Sequence, residues 1–289
     1  MSERNQCFSN EAEDLSCGVS FSSRGFALIR RAIPAEEVGV LAAVARQILT
    51  SAGPTGSAGC TLHNILTAQP KESGPVAGRL SLHIEHVFRF APRFRALVQD
   101  PRLAGPAQEV IAAPLMLLDD QLYWKPAHTG GATYVHRDSD FFGPLRIVTV
   151  WVPLVDVDES NGCLWVVPGS HLNGITTPGL ERRTEPPPNS DIDSRPFDYF
   201  YATDWDAAGF QPVCMAAGDA LLIHHRLVHC SLDIRGEQER LSYLVEYVEA
   251  GDASTFREEC SGLFEYHDRW RYMEDIRVSG RAFRSETTQ

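Results

Sequence analysis

The sequence predicts a mainly β protein with flanking helices, built as a sandwich or barrel. Short apolar runs follow one another from about Leu115, at 115–118, 132–135, 146–153, 162–167, 220–223 and 241–248. Turn residues separate them, as in Asn161-Gly162, Pro168-Gly169-Ser170 and Gly218-Asp219. Repeated short strands with turn signals indicate one β assembly rather than alternating βαβ units. The chain also carries no internal repeat, GxGxxG motif or P-loop.

The elements follow in order. Residues 1–18 read as a flexible tail, and 19–289 as a single domain. Folding starts at Gly25-Phe26-Ala27-Leu28-Ile29-Arg30, a short β-rich run. Pro34-Ala35-Glu36-Glu37 opens a helix, with proline and carboxylates in its first turn. Its apolar positions Val38, Leu41, Val44 and Ile48 recur at helical spacing. Ser51–Gly59 is a Gly/Ser/Pro loop. Residues 92–113 predict one or two helices broken by Pro101 and Pro106. The strands come next. Between them, His171 to Pro212 is irregular, with three consecutive prolines and the aromatic run Phe197-Asp198-Tyr199-Phe200-Tyr201. An insertion of that length is usually functional, and 172–212 is expected to be a lid. Phe264, Trp270 and Tyr272 predict a C-terminal helix packed on the sheet.

Composition excludes several classes. The chain has 289 residues, 43% hydrophobic and 22% charged, which is ordinary globular composition. No apolar run approaches the ~18–20 residues of a membrane helix. The first 18 residues are polar and acidic, unlike a signal peptide, so the expected compartment is the cytoplasm. A formal net charge of −12 makes a poor general partner for nucleic acid or anionic membranes; the expected partner is a small-molecule substrate. Of 26 basic residues only Lys71 and Lys125 are lysines. The seven cysteines are odd in number and form no CxxC pair. Neither a disulfide framework nor a zinc ribbon is expected, and the thiols are read as free.

Chemistry concentrates in three places. In Tyr134-Val135-His136-Arg137-Asp138, His136 and Asp138 lie two residues apart. On extended backbone they point the same way, ~6–7 Å apart, and can hold one metal ion together. The second place is 93 residues further on, Gly218-Asp219-Ala220-Leu221-Leu222-Ile223-His224-His225-Arg226-Leu227-Val228-His229-Cys230-Ser231. His224, His225 and His229 compete there as third ligand. Two histidines and one carboxylate leave open positions on Fe(II), as oxygen chemistry requires. The third is Arg240, eleven residues after His229, which shares a strand face with Ser242. An arginine grips a carboxylate with two prongs, and a serine adds a hydrogen bond. A metal triad followed by such a clamp suggests a dicarboxylate co-substrate.

The residues HRD at 136–138, NGCLWVVPGSH at 161–171, GDALLIHHRLVHCS at 218–231 and Arg240 resemble the phytanoyl-CoA dioxygenase family. GFALIRRAIPAEEV at 25–38 is similar to that family's opening strand and helix. The resemblance implies a double-stranded β-helix (a jelly roll, cupin-like) and an Fe(II)- and 2-oxoglutarate-dependent dioxygenase that uses O2. It selects His229 over His224 and His225, making His136, Asp138 and His229 the iron ligands. Arg240 would bind the distal carboxylate of 2-oxoglutarate. The family also often carries a lysine before the HxD motif and a hydroxyl on the following strand near the co-substrate, which points to Lys125 and Thr149. Gln121 faces the same way as Lys125 on a regular strand and is a further contact. His171 reads as a turn residue near the site mouth, and Leu82–His86 as a possible pocket lining.

The activity implied is hydroxylation of an unactivated C–H bond of a small-molecule metabolite, in natural-product biosynthesis, with release of succinate and CO2. Two other readings stand beside it: a cupin-like metalloenzyme that does not use 2-oxoglutarate, and a non-catalytic ligand-binding β-helix protein. Arg240 argues against the first and the complete triad against the second. Related iron halogenases lack the carboxylate ligand, so Asp138 disfavours halogenation.

Overall fold

A computed structural model describes residues 16–52, 62–64, 81–89, 91–139, 145–172, 177–183, 199–251 and 277–278. It opens on a helix, α1 (Cys17–Arg24), where the sequence suggested a tail up to residue 18. Glycine and serines are weak helix formers, so local propensity hides it. Its ends hold it instead. The Ser16 hydroxyl accepts from the Val19 N–H, Phe21 is buried, and Gly25 closes the C-terminus at φ 86°. A Cβ at Gly25 would lie 2.6 Å from His171 Nδ1, so only glycine fits.

Strand β1 (Phe26–Ile29) and helix α2 (Ala35–Ala52) follow as expected, the latter burying Val38, Leu41, Ala42 and Ala45. Strands β2 (Leu62–Asn64) and β3 (Leu82–Glu85) come next. Helix α3 (Pro92–Val98) ends before α4 (Pro101–Ile111), which starts on Pro101. Pro106 sits inside α4 and does not break it. The bond lost to the Arg102 carbonyl is outweighed by burial of Leu103, Ala104, Ala107 and Ile111.

The remaining elements are β4 (Leu115–Lys125), β5 (Thr133–His136), β6 (Ile147–Pro153), β7 (Leu164–Val166), β8 (Leu180–Arg183), β9 (Tyr199–Ala202), α5 (Trp205–Ala208), β10 (Gln211–Val213), β11 (Ala220–His224), β12 (His229–Ser231), β13 (Arg240–Glu249) and β14 (Arg277–Val278). Apart from β14, the segment Phe256–Gln289 with its expected helix lies outside the described residues. Strand β4 runs well past the 115–118 expected for it, because Asp119, Asp120 and Gln121 interrupt its apolar pattern without ending the strand.

All strand pairs are antiparallel, and they form two main sheets and a separate two-stranded β8–β9 hairpin. The large one runs β1-β11-β6-β13-β4-β3-β2, with β14 also on β4. The small one runs β10-β7-β12-β5. This is the double-stranded β-helix. Side chains alternate across β13 with the two-residue period of a strand. Leu241, Tyr243, Val245 and Tyr247 join a core shared with α2, α3 and α4. Arg240, Ser242, Leu244 and Glu246 turn inward, between the sheets. The outer core includes a buried carboxylate, Asp120. It accepts from the Tyr243 hydroxyl at 2.7 Å and from the Phe88 N–H at 2.9 Å. Burial, with Asp119 adjacent, pushes its carboxyl up to about 7.

Cys17, Cys163 and Cys230 are free, as expected. Cys214 is not: it is disulfide-bonded, and its partner is not among the described residues. A single bridge does not make a disulfide framework, but it corrects the reading of that thiol. No described helix is long and apolar enough to cross a membrane.

Candidate active site

The three residues singled out as metal ligands meet between the sheets. His136 ends β5 and His229 starts β12, and the two face each other in register across the small sheet. Asp138 follows in the turn after β5. The potential ligand atoms of all three lie within 4.8 Å of one another, the one such group of three among the described residues. Asp138 Oδ1 is 3.8 Å from His136 Nε2 and 3.6 Å from His229 Nε2.

Hydrogen bonds fix the direction of each ligand. His136 Nδ1 is 2.8 Å from the Tyr134 carbonyl, and His229 Nδ1 is 2.9 Å from the Leu227 carbonyl. A carbonyl only accepts, so both Nδ1 atoms carry the proton and both Nε2 lone pairs face the centre. Burial, then the neighbouring His229, holds the His136 imidazole well below its ordinary pKa and keeps it neutral. The donor set of two neutral imidazoles and one carboxylate suits a divalent metal with open positions. His224 and His225 stand apart, stacked on each other at 4.4 Å. His171 Nε2 lies 3.0 Å from the Ser22 carbonyl, a bond to helix α1 rather than within its own turn.

The Thr149 hydroxyl donates to Asp138 Oδ2 at 2.7 Å, which leaves Oδ1 facing the histidines. That bond places Thr149 beside one of the three candidate metal ligands. Such outer partners are typically worth 10–100-fold in metal affinity. Thr149→Val is therefore expected to weaken Co(II) binding about 10-fold to 100-fold, measured by spectroscopic titration. Unchanged affinity would mean that this hydrogen bond does not support the metal.

The second group of predicted residues lies on the inner face of the large sheet. Arg240 and Lys125 are register partners across β13 and β4. Both are buried, and neither forms an ion pair among the described residues. Arg240 Nη1 donates to the Gly162 carbonyl at 3.0 Å, while its Nε has no partner. Lys125 Nζ bonds Ser231 Oγ at 2.7 Å. Burial pulls the Arg240 guanidinium down to about 10. Burial, then Arg240, holds the Lys125 amine well below its ordinary range. Asp233 acts on Lys125 from beyond ion-pair distance, but two adjacent buried basic groups outside any ion pair are costly, and a bound dianion would relieve both. Ser242 shares their face; it is fully buried and its hydroxyl has no partner. The Arg240 guanidinium also lies 5.8 Å from the centre of the buried Trp151 ring.

Gln121 does face the same way as Lys125, since the bulge in β4 falls before it. Its Nε2 donates to Asp119 Oδ2 at 2.9 Å. Sequence reasoning missed Asp119 and Glu246, which complete this face. The signal was present: each is an acid inside an otherwise apolar strand. The expected lid is described in part, as the β8–β9 hairpin and α5. Arg137, between His136 and Asp138, lies 4.9 Å from the centre of the buried Phe200 ring on β9. The aromatic run thus fastens the hairpin beside the metal loop.

Comparison with known proteins places the chain among relatives of one family and fold. The phytanoyl-CoA dioxygenase domain-containing protein 1 of Mus musculus is 30% identical over 164 residues, 55% of this chain and 54% of that protein. The ectoine dioxygenase of Bordetella parapertussis is 33% identical over 105 residues, 34% of this chain and 33% of that protein. This chain spans about half the length of the first of these. Among solved structures, the non-heme α-ketoglutarate-dependent carbocyclase SnoK from nogalamycin biosynthesis shares the fold. It has a TM-score of 0.62 and 24% identity, covering 82% of this chain and 85% of that one. EctD from S. alaskensis, crystallised with bound Fe, has a TM-score of 0.60 and 18% identity, covering 85% of this chain and 80% of that one. The model of the family Phytanoyl-CoA dioxygenase (PhyH) matches residues 21–242, and this chain belongs to that family.

Proposed function

We propose that this chain is an Fe(II)- and 2-oxoglutarate-dependent dioxygenase that hydroxylates an unactivated C–H bond of a small-molecule metabolite. The overall change consumes substrate, O2 and 2-oxoglutarate and releases alcohol, succinate and CO2. The observation that carries the reading is the pairing of two groups between the sheets. A two-histidine, one-carboxylate triad lies on the small-sheet side, and the large sheet presents two buried basic groups that form no ion pair among the described residues. A metalloenzyme without a dianionic co-substrate has no use for the second.

The roles follow from the geometry. His136, Asp138 and His229 hold the metal through Nε2, Oδ1 and Nε2. When bound, Fe(II) supplies the redox chemistry that couples O2 to decarboxylation of the keto acid. Arg240 takes the distal carboxylate of 2-oxoglutarate, with Ser242 offering its free hydroxyl and Lys125 adding charge from the facing strand. Thr149 keeps the Asp138 carboxylate turned. The described part of the expected lid, the β8–β9 hairpin and α5, would help exclude water from the site, with Phe200 against Arg137. A setting in natural-product biosynthesis is supported by the likeness to SnoK, whose own pathway is that of nogalamycin.

The test is an anaerobic titration of the Fe(II)-loaded protein with 2-oxoglutarate. The weak visible charge-transfer band of an iron–keto acid chelate is expected to appear and saturate. Iron bound with no band on adding 2-oxoglutarate would remove the co-substrate from the mechanism.

A further inference from the structure

We propose that the substrate carries a protonated amine, held beside the metal centre by the Glu246 carboxylate and the Gln121 side-chain carbonyl. The inference rests on the oxygenase reading and names the chemical class of its substrate.

The inner face of the large sheet is segregated by charge. Arg240 and Lys125 occupy one end. Further along the same face, β3, β4 and β13 present Glu85, Gln121, Asp119 and Glu246, all buried. The register places Glu85 beside Gln121, and Asp119 beside Glu246. Glu246 in turn faces Thr149 across β6. Thr149 is the residue whose hydroxyl holds the Asp138 carboxylate. The acidic patch therefore adjoins the metal ligands from the side away from the 2-oxoglutarate cations.

Two of its three carboxylates have a basic partner. Asp119 Oδ1 lies 2.8 Å from His86 Nδ1, and Glu85 Oε1 lies 3.3 Å from His83 Nε2. Glu246 has no ion pair among the described residues, and its buried Oε2 has no hydrogen-bond partner. Gln121 is the second open acceptor. Its Nε2 is committed to Asp119, which leaves the buried Oε1 without a partner. Both atoms are shut off from bulk water, so solvent does not repay the missing bonds. They sit on adjacent strands in diagonal positions, within reach of one group.

A carboxylate in the middle of an apolar strand, with no counter-charge, is costly for folding alone. Leu244, its neighbour on the same face, shows what the core would otherwise place there. An ammonium meets both needs at once: it brings positive charge, donates three hydrogen bonds and accepts none. Burial, then Asp119 and Asp138, push the Glu246 carboxyl well above its ordinary range, so an ammonium is the group that restores its charge; a neutral hydroxyl does not, and an anion adds a further like charge.

Three probes of one carbon skeleton test this: cyclohexylamine, cyclohexanol and cyclohexanecarboxylate. Each is added under argon to protein loaded with Fe(II) and 2-oxoglutarate, and relaxation of its protons by the iron is followed by NMR. The amine is expected to saturate at a concentration about tenfold or more below the alcohol, and the carboxylate to show no saturable effect. In Glu246→Gln the amine and alcohol should converge to within about threefold, while the 2-oxoglutarate band persists. An amine no tighter than the alcohol, including no binding of either, overturns the inference. So does a preference that survives Glu246→Gln. If that variant does not fold, the wild-type comparison decides alone. Absence of the 2-oxoglutarate band in the wild type is a separate outcome that removes the oxygenase reading, and this inference with it.

Discussion

Asp138→Ala is expected to abolish iron-dependent turnover and to weaken Fe(II) binding by more than about 100-fold, the upper end of what outer partners of a metal cost. The geometry explains why this residue outranks either histidine. Its Oδ1 is the point that both Nε2 atoms face, at 3.6 and 3.8 Å. It is also the triad's one negative charge. Without it, two neutral imidazoles would have to hold a dication in a cavity whose far end already carries Arg240 and Lys125. The Thr149 hydroxyl would lose its acceptor as well. Metal content and far-UV circular dichroism of the same sample check the prediction. A folded variant that keeps full iron affinity or full succinate formation would show that the metal lies elsewhere. Asp138→Glu is the sharper control, since it restores the charge but lengthens the arm by one methylene. It should recover iron binding in part and turnover less, because alignment demands more than affinity.

How much of this was legible depended on how local each feature is. The HxD pair was readable because i and i+2 on a strand always share a face. Arg240 with Ser242, and Gln121 with Lys125, were readable for the same reason. That His136 pairs with His229 across two strands is set by register, and no local pattern encodes it. The same holds for Arg240 opposite Lys125, which turned a scarce lysine on β4 into half of a cationic pair. Helix α1 escaped because its residues are poor helix formers and its stability comes from one cap, one glycine and Phe21. Pro106 was read as a breaker because a rule about the backbone outweighed, on paper, four buried side chains not yet placed. The bond from Thr149 to Asp138 was not legible, since a strand pattern gives the face but not the atom it reaches. Glu246 was passed over because it lies in a run read as apolar, 241–248, and Asp119 because it falls just past one, 115–118. Those two exceptions to the pattern are the ones that speak to substrate.

Arg240→Ala should separate the two halves of the site. The 2-oxoglutarate concentration needed for half-saturation is expected to rise roughly 30-fold to 1,000-fold, the usual cost of truncating one partner of a buried charged pair. Fe(II) affinity without 2-oxoglutarate should stay within about threefold, since no ligand touches the guanidinium and additivity holds for separate sites. The size of the effect follows from what is left behind. Lys125 retains its charge but is committed to Ser231 Oγ, and an ammonium is a point charge without the planar fork of a guanidinium. Arg240→Lys should therefore recover charge but not geometry, and land between wild type and alanine. Lys125→Met should cost less than Arg240→Ala, because the two-pronged grip survives. The visible band of the iron–keto acid chelate reads all three variants, and iron content reads the other half. Coordinated loss of iron and 2-oxoglutarate in Arg240→Ala would mean that the residue holds up the fold, through its bond to the Gly162 carbonyl, rather than the co-substrate. Retained metal with a requirement displaced to high 2-oxoglutarate assigns the guanidinium to the carboxylate.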